Sequence, residues 1–257
     1  MRMHSWNING IRAAWDKGFG AWLTSVDSDL VFVQETKAMR DQMKAHIVDV
    51  PDWAGAEFHW GVRKGYSGVG VYYRRQPDEI YVGLGIEEFD REGRVIGVRY
   101  GDLVVYGNYF PNGGKGPERV DYKLRFYDAM LARMKELRRQ GLQVVVTGDY
   151  NTAHHPHDLA RPKGNKSTSG FLPEERAVLD RWEADGWHDS YRIARPDERE
   201  RYSWWSMQTR ARERNAGWRI DYFWVPDELR DQVVDATILD DVVGSDHAPV
   251  FLELSGF

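Results

Sequence analysis

The chain of 257 residues contains no cysteine. That absence rules out disulfides, thiolate metal sites and a thiol nucleophile. Long apolar runs are missing too. None approaches the roughly 20 residues that cross a bilayer, and MRMHSWNING leads into a strand pattern without a charged-then-apolar leader. The expectation is a cytoplasmic protein with no membrane contact. Positive charge is not in excess: 35 Lys and Arg against 40 Asp and Glu give a net charge of −5. Such a balance disfavours binding that rests on bulk neutralisation of phosphates. It leaves room for a local basic rim, for which Arg161, Lys163 and Lys166, and Arg210, Arg212 and Arg214, are candidates. Repeats, low-complexity tracts and flexible linkers are also absent.

What is present is apolar and aromatic. A hydrophobic content of 42%, with 11 Trp and 13 Tyr, is enough for a full core and leaves aromatic surface for stacking. Short β-branched and aromatic runs, Leu30–Glu35, Gly68–Tyr73, Leu103–Tyr109 and Val144–Thr147, read as buried strands. Pro117–Arg139 places Val120, Leu124, Tyr127, Leu131 and Met134 on one helical face, entered through a proline and stopped by Gly141. Asp16–Val26 and Pro173–Trp182 are predicted as further helices. Asn151–Leu172 is a long irregular stretch of the kind that usually carries function. Several strands follow one another too closely for helical crossovers. The pattern predicts one α/β domain over residues 1–257 with a mixed or antiparallel sheet.

Polar groups recur where strands end or begin. Asn7 and Asn9 follow HSW, Glu35 follows LVFVQ, and Asp149 and Asn151 follow VVVTG. Asp221 lies in WRIDYFWV, and Asp246-His247 precede APVFLEL. A carboxylate in such a place is expensive to desolvate unless it is paired or used. Any one of them has a structural explanation: Asp149 as a helix cap, Glu35 paired with an arginine, His247 hydrogen-bonded in the core. Five with one topological logic point to a site for a phosphate and a divalent metal at the open edge of a sheet.

The segments SWNINGIRA, QETKA, GYSGVGVYY, YFPNG, GDYNTAH, SGFLPEER, GWRIDYFWV and GSDHAPV occur in this order from end to end. In these the chain resembles the exonuclease III type of apurinic/apyrimidinic (AP) endonuclease, within the endonuclease/exonuclease/phosphatase superfamily. The resemblance implies an α/β, DNase I-like four-layer sandwich of two mixed β-sheets flanked by helices. It also implies a Mg²⁺-dependent enzyme, with Mn²⁺ as a substitute, working as a monomer on double-stranded DNA with abasic sites in a nucleoid-associated, cytoplasmic setting. Glu35 would be the principal metal ligand, assisted by Asn9 and Asp246, a hard-oxygen set suited to phosphate chemistry. The family carries Asp or Asn at the position of Asn9, and Asn removes one charge from the metal site. Asp149, oriented by Asn151, would activate water. His247, held by Asp221, would face a non-bridging phosphate oxygen as an imidazolium, with Tyr109 and Asn7 adding hydrogen bonds. Asp149, His247 and a Tyr109 phenolate compete as the base, and Asp149 is preferred because a His paired with Asp221 already holds its proton. Phe171, Trp204 and Trp218 resemble the aromatic wall that accepts an extruded baseless sugar, and Tyr66, Asn112, Lys115, Asn165 and Lys166 match backbone-contact positions.

Two further signals lack their complements. His154-His155-Pro156-His157-Asp158 has no spaced second half of a zinc site and is read as a surface loop with a structural Asp158. Gly113-Gly114-Lys115-Gly116 has no Gly-Lys-Ser/Thr to complete a phosphate loop. Incision at deoxyuridine is left open by the sequence. Two other functional classes remain: a phosphoesterase acting on inositol phosphates, sphingolipid or intact DNA, and a non-catalytic DNA-binding module. GFLPEER with GWRIDYFWV argues against the first, and the full set of site residues argues against the second.

Overall fold

The computed structural model describes residues 1–257. Twelve strands form two six-stranded sheets. In chain order they are β1 (Arg2–Asn7), β2 (Leu30–Gln34), β3 (Gly55–His59), β4 (Val69–Tyr73), β5 (Glu79–Val82) and β6 (Val95–Tyr100). They continue with β7 (Leu103–Tyr109), β8 (Gln143–Asp149), β9 (Trp187–Asp189), β10 (Asp221–Pro226), β11 (Val233–Ile238) and β12 (Val250–Leu254). The first sheet runs β11-β12-β1-β2-β4-β3 and the second β5-β6-β7-β8-β10-β9.

Each sheet is mixed, with one parallel pair at its centre, β1/β2 in the first and β7/β8 in the second; all other neighbours are antiparallel. A two-residue turn suffices between β6 and β7, which is why strands follow so closely in sequence there. Inner faces of both sheets, with Phe32 and Val71 from one and Val105 and Phe223 from the other, close on each other as a common core. Helices Pro117–Arg139 and Pro173–Ala184 cover the outer face of the second sheet through Phe126, Tyr127, Met130 and Trp182. The N-terminal helical segment covers the outer face of the first through Ile11, Phe19 and Leu23. The result is the four-layer sandwich that the resemblance implied.

The long helix matches its predicted bounds, entered by Pro117 and followed by Gly141 at φ 85°. The predicted helix Asp16–Val26 differs. Helical structure begins at Ile11 and is broken at Gly18, where φ is 103°, before resuming over Gly20–Ser25. A residue without Cβ permits that break, and a periodicity count across it loses the first turns. No helix is long and apolar enough to cross a membrane.

Candidate active site

The parallel pairs β1/β2 and β7/β8 bring their C-terminal ends to one edge of the sandwich. Asn7 ends β1, and Glu35 follows β2 in a left-handed conformation (φ 53°). Tyr109 and Asp149 end β7 and β8 as register partners. Asp221 opens β10 directly across from Asp149. Asn9 and Asn151 are also left-handed, at φ 49° and 51°. Three such non-glycine residues on one edge mark backbone strain held in place by surrounding bonds. Gly10 donates to the Glu35 carbonyl at 2.7 Å, and Tyr150 donates to the Ile220 carbonyl at 2.8 Å.

Asn7 is wholly buried and joins the two sheets chemically. Its amide donates to Glu35 Oε1 at 3.0 Å and to Asp149 Oδ2 at 2.9 Å. Asp149 Oδ1 accepts the Asn151 backbone N–H at 2.8 Å. His247 lies between two carboxylates, with Nδ1 at 2.9 Å from Asp221 Oδ2 and Nε2 at 3.8 Å from Asp149 Oδ2. Burial by itself disfavours the imidazolium, but Asp221 and Asp149 outweigh it and raise the His247 pKa to about 10. For Asp149, burial outweighs the nearby imidazolium and lifts the carboxyl to about 7. Tyr109 is pushed well above 10, by burial first and then by Glu35, so it remains a phenol and a donor. That removes its phenolate from the three candidate bases.

Glu35 is a carboxylate. Burial would raise its pKa, yet Lys37 and the Asn7 amide overcome this and hold it below the usual range. Lys37 Nζ sits 2.6 Å from Glu35 Oε2 and 2.5 Å from Asn9 Oδ1. Asn9 Nδ2 in turn donates to Asp246 Oδ1 at 2.9 Å, and the Trp204 indole N–H donates to Asp246 Oδ2 at 3.0 Å. Glu35, Asn9 and Asp246 thus form one oxygen-rich array, and the Lys37 ammonium shows that its field favours a cation. The donor set fits a hard divalent ion.

Glu35, Tyr109, Asp149, Asn151, Asp246 and His247 line one cleft of about 300 Å³. Its polar side holds Glu35, Asp149, Asp246 and His247, and its apolar side is built by Trp204, Trp218 and Ile220. The expected third aromatic, Phe171, is not on that surface. Its ring is 3% exposed and packs behind the wall on Ala153, Leu159 and Ile220, with the Arg176 guanidinium 4.6 Å from its centre. The Gly170 backbone lies against Trp218 in its place.

Of the residues expected to contact DNA, Asn112 hydrogen-bonds Asn151 Oδ1 at 2.9 Å and borders the cleft. Tyr66 lies in a neighbouring depression with Lys115, Arg63 and Arg119. Asn165 and Lys166 sit on the long loop before Phe171, with Asn165 donating to the Arg161 carbonyl. Arg212, placed in the basic rim by sequence, is committed instead to the carbonyls of Asp240 and Val242 and to the Trp205 ring.

Sequence reasoning missed several supports. Lys37 lay in QETKA without an assigned role. Arg94 is 1% exposed and, with Arg119, donates to the Tyr66 hydroxyl, while Glu92 accepts from both arginines. Lys123 and Glu175 form a fully buried pair at 2.7 Å. Lys123 also donates to the Asn151 carbonyl, while Glu175 accepts from the Leu172 N–H at 3.1 Å and from Gly170. The pair therefore ties the Asp149 turn to the loop behind the cleft. A lysine on a helix face carries no sequence mark of such a role.

Similar proteins are found among known nucleases. The exodeoxyribonuclease of Bacillus subtilis is 41% identical over 98% of both chains. The DNA repair nuclease APEX1 of Danio rerio is 37% identical over 99% of this chain and 82% of its own. Among solved structures, the Xenopus laevis APE2 catalytic domain superposes with a TM-score of 0.89 at 30% identity, covering 99% of this chain and 91% of that one. The pattern of the endonuclease/exonuclease/phosphatase family matches residues 4–247, and the chain belongs to that family.

Proposed function

We propose that the protein is an AP endonuclease that hydrolyses the phosphodiester 5′ of abasic sites in duplex DNA and leaves a 3′-hydroxyl. We further assign it 3′→5′ exonuclease and 3′-phosphodiesterase activity on the same site, as a single-domain monomer working on cytoplasmic, nucleoid DNA. The carrying observation is that one cleft joins Asp149 and His247, the latter paired with Asp221 behind it, to an apolar wall of Trp204, Trp218 and Ile220. An intact nucleotide would press its base on Trp204 and Trp218, whereas a bare deoxyribose lays an apolar ring face on them.

In this assignment Asp149 takes the proton of the attacking water. Its pKa near neutrality suits a general base, and Asn151 and Asn7 fix both of its oxygens. His247 is already cationic through Asp221, so it stabilises the phosphate oxygens instead of competing for the proton. Tyr109 donates its phenolic proton toward the same charge. Glu35 and Asn9, with Asp246 bracing Asn9, would hold Mg²⁺ or Mn²⁺, which supplies Lewis-acid neutralisation of the phosphate. Tyr66, Asn112, Lys115, Asn165 and Lys166 grip the flanking backbone, and Trp204, Trp218 and Ile220 receive the sugar.

The test is incision of an end-labelled duplex carrying one abasic site, beside uracil-containing and undamaged duplexes, with and without Mg²⁺. Metal-dependent cutting on the 5′ side of the abasic site, abolished in Glu35→Ala and Asp149→Asn, is expected. Full activity in either variant, or equal cutting of undamaged duplex, refutes the assignment.

A further inference from the structure

The loop leaving β8 holds a second constellation, none of whose residues lines the cleft. The His154 side chain is 1% exposed, and its Nε2 lies 2.8 Å from Asp180 Oδ1. A carboxylate acceptor places the proton on Nε2, so Nδ1 carries a lone pair. That Nδ1 is buried and has no hydrogen-bond partner. A buried acceptor left unmatched needs an explanation, and an unmodified core histidine does not supply one.

Two further ligand-capable side chains lie beside His154. The His155 ring stacks on His154 with centroids 3.8 Å apart and planes 25° from parallel. Glu183 comes from the last turn of the helix Pro173–Ala184. Ligand-capable atoms of His154, His155 and Glu183 all lie within 4.8 Å of one another. The surrounding field is negative: Asp180 and Glu183 on the helix, Asp158 on the loop and Asp189 on β9. Arg219, the buried cation nearby, is committed to Asp158 and Asp189.

We propose that His154, His155 and Glu183 form a metal site for a borderline divalent ion of the zinc type, with Asp180 orienting His154 from behind. Two imidazole nitrogens and one carboxylate oxygen, completed by water, suit Zn²⁺ and discriminate against Mg²⁺ and Ca²⁺, which prefer all-oxygen shells. The Asp180–His154 contact is the carboxylate–histidine arrangement that fixes the tautomer and raises ligand basicity. Ligand atoms around tetrahedral zinc stand about 3.3 Å apart, so the cluster closes by roughly 1–1.5 Å of side-chain movement. Glu183 is exposed and free to supply it. The His-rich segment lacked a second half in sequence because the helix contributes it from 28 positions downstream of His155. Such an ion would clamp the start of the loop that leads to Gly170 onto the helix behind it.

The test titrates chelator-stripped full-length protein with Zn²⁺ by calorimetry in millimolar Mg²⁺, and with Co²⁺ for its visible spectrum. The variants are His155→Ala, Glu183→Gln and, as a control on the cleft, Asp149→Asn. One Zn²⁺ equivalent and a tetrahedral Co²⁺ spectrum are expected in the wild type and in Asp149→Asn. Each of the other two variants should weaken binding at least tenfold. Zn²⁺ at 100 times its Kd should raise the wild-type Tm by roughly 5–10 °C and leave His155→Ala unmoved. No Zn²⁺ uptake by the wild type, unchanged affinity in both His155→Ala and Glu183→Gln, or loss only in Asp149→Asn overturns the proposal. Circular dichroism of the two variants, both altered at accessible side chains, establishes that folding is intact.

Discussion

Replacing Asp221 by Asn separates charge from shape at the centre of the site. The amide oxygen can still accept from His247 Nδ1, which now sits 2.9 Å from the carboxylate, so the ring stays in place while the negative charge is lost. His247 rises from 6.5 to about 10 in the folded protein, which corresponds to roughly 5 kcal/mol in favour of the imidazolium. Asp221 is the largest attractive contributor to that rise, and burial opposes it. Without Asp221, burial is opposed only by Asp149 and Asp246, and the imidazole should return to about 6.5. At pH 8 a group of pKa 6.5 is only about 3% protonated, a loss of about thirtyfold before any effect on orientation. With the lost transition-state stabilisation, kcat at pH 8 should fall by roughly 10²–10⁴ while KM changes little. Two assays read this directly. The pH–rate profile for abasic-duplex incision should have its acid limb near 7 from Asp149 and its alkaline limb near 10 from His247 in the wild type. In Asp221→Asn the alkaline limb should move to the acid side of neutrality, and the His247 ring resonances followed by NMR should move with it. A variant whose imidazole still titrates near 10, or whose alkaline limb stays put, would refute the assignment of His247 as a cation held by Asp221.

Three further outcomes follow from the same coordinates. His247, raised above its unfolded value, stabilises the fold fully below pH 6.5 and loses that contribution as pH rises through about 10; Asp149, also raised, loses its contribution between 3.8 and about 7. Urea midpoints should therefore decline from pH 6 to pH 10.5, and a flat profile contradicts both shifts. Lys123→Met leaves the Glu175 carboxylate buried and unpaired, which should destabilise by about 3–5 kcal/mol in urea unfolding; a loss under about 1 kcal/mol would show the pair to be dispensable. Gly148→Ala should yield no folded protein, because a Cβ there meets the Asn108 carbonyl at 1.8 Å with φ at +132°, whereas Gly101→Ala, in open space at φ +58°, should cost only about 1 kcal/mol. Equal stability of the two alanine variants disposes of the steric account.

The elements legible in the sequence were those with strong local signals. Strands β2, β4, β7 and β8 are apolar runs bounded by turn residues, and the long helix has both a proline entry and a glycine stop. Strands β3, β5 and β11 are partly exposed and mix charge with short apolar stretches, so they form through pairing with β4, β6 and β12 more than through their own pattern. The carboxylates and His247 were visible because charge at a strand end is rare. Lys37, Arg94 and Lys123 were not, since each acquires its partner only when the sheets and helices close. Phe171 shows the converse: a residue type suited to a pocket wall is placed one layer behind it by packing on Ala153 and Ile220.

The amide of Asn7 has two hydrogens, and both are committed, one to each sheet's carboxylate. Chemistry here is consequently a property of the seam between two halves, since neither sheet alone contains a complete set of groups. Catalytic competence and tertiary closure must appear and vanish together, so loss of turnover on heating or in denaturant reports the parting of the sheets. Trp204 and Trp218, by contrast, stand on connecting segments outside the named strands. If they receive the sugar as proposed, the choice of substrate is set outside the seam and can change without disturbing it.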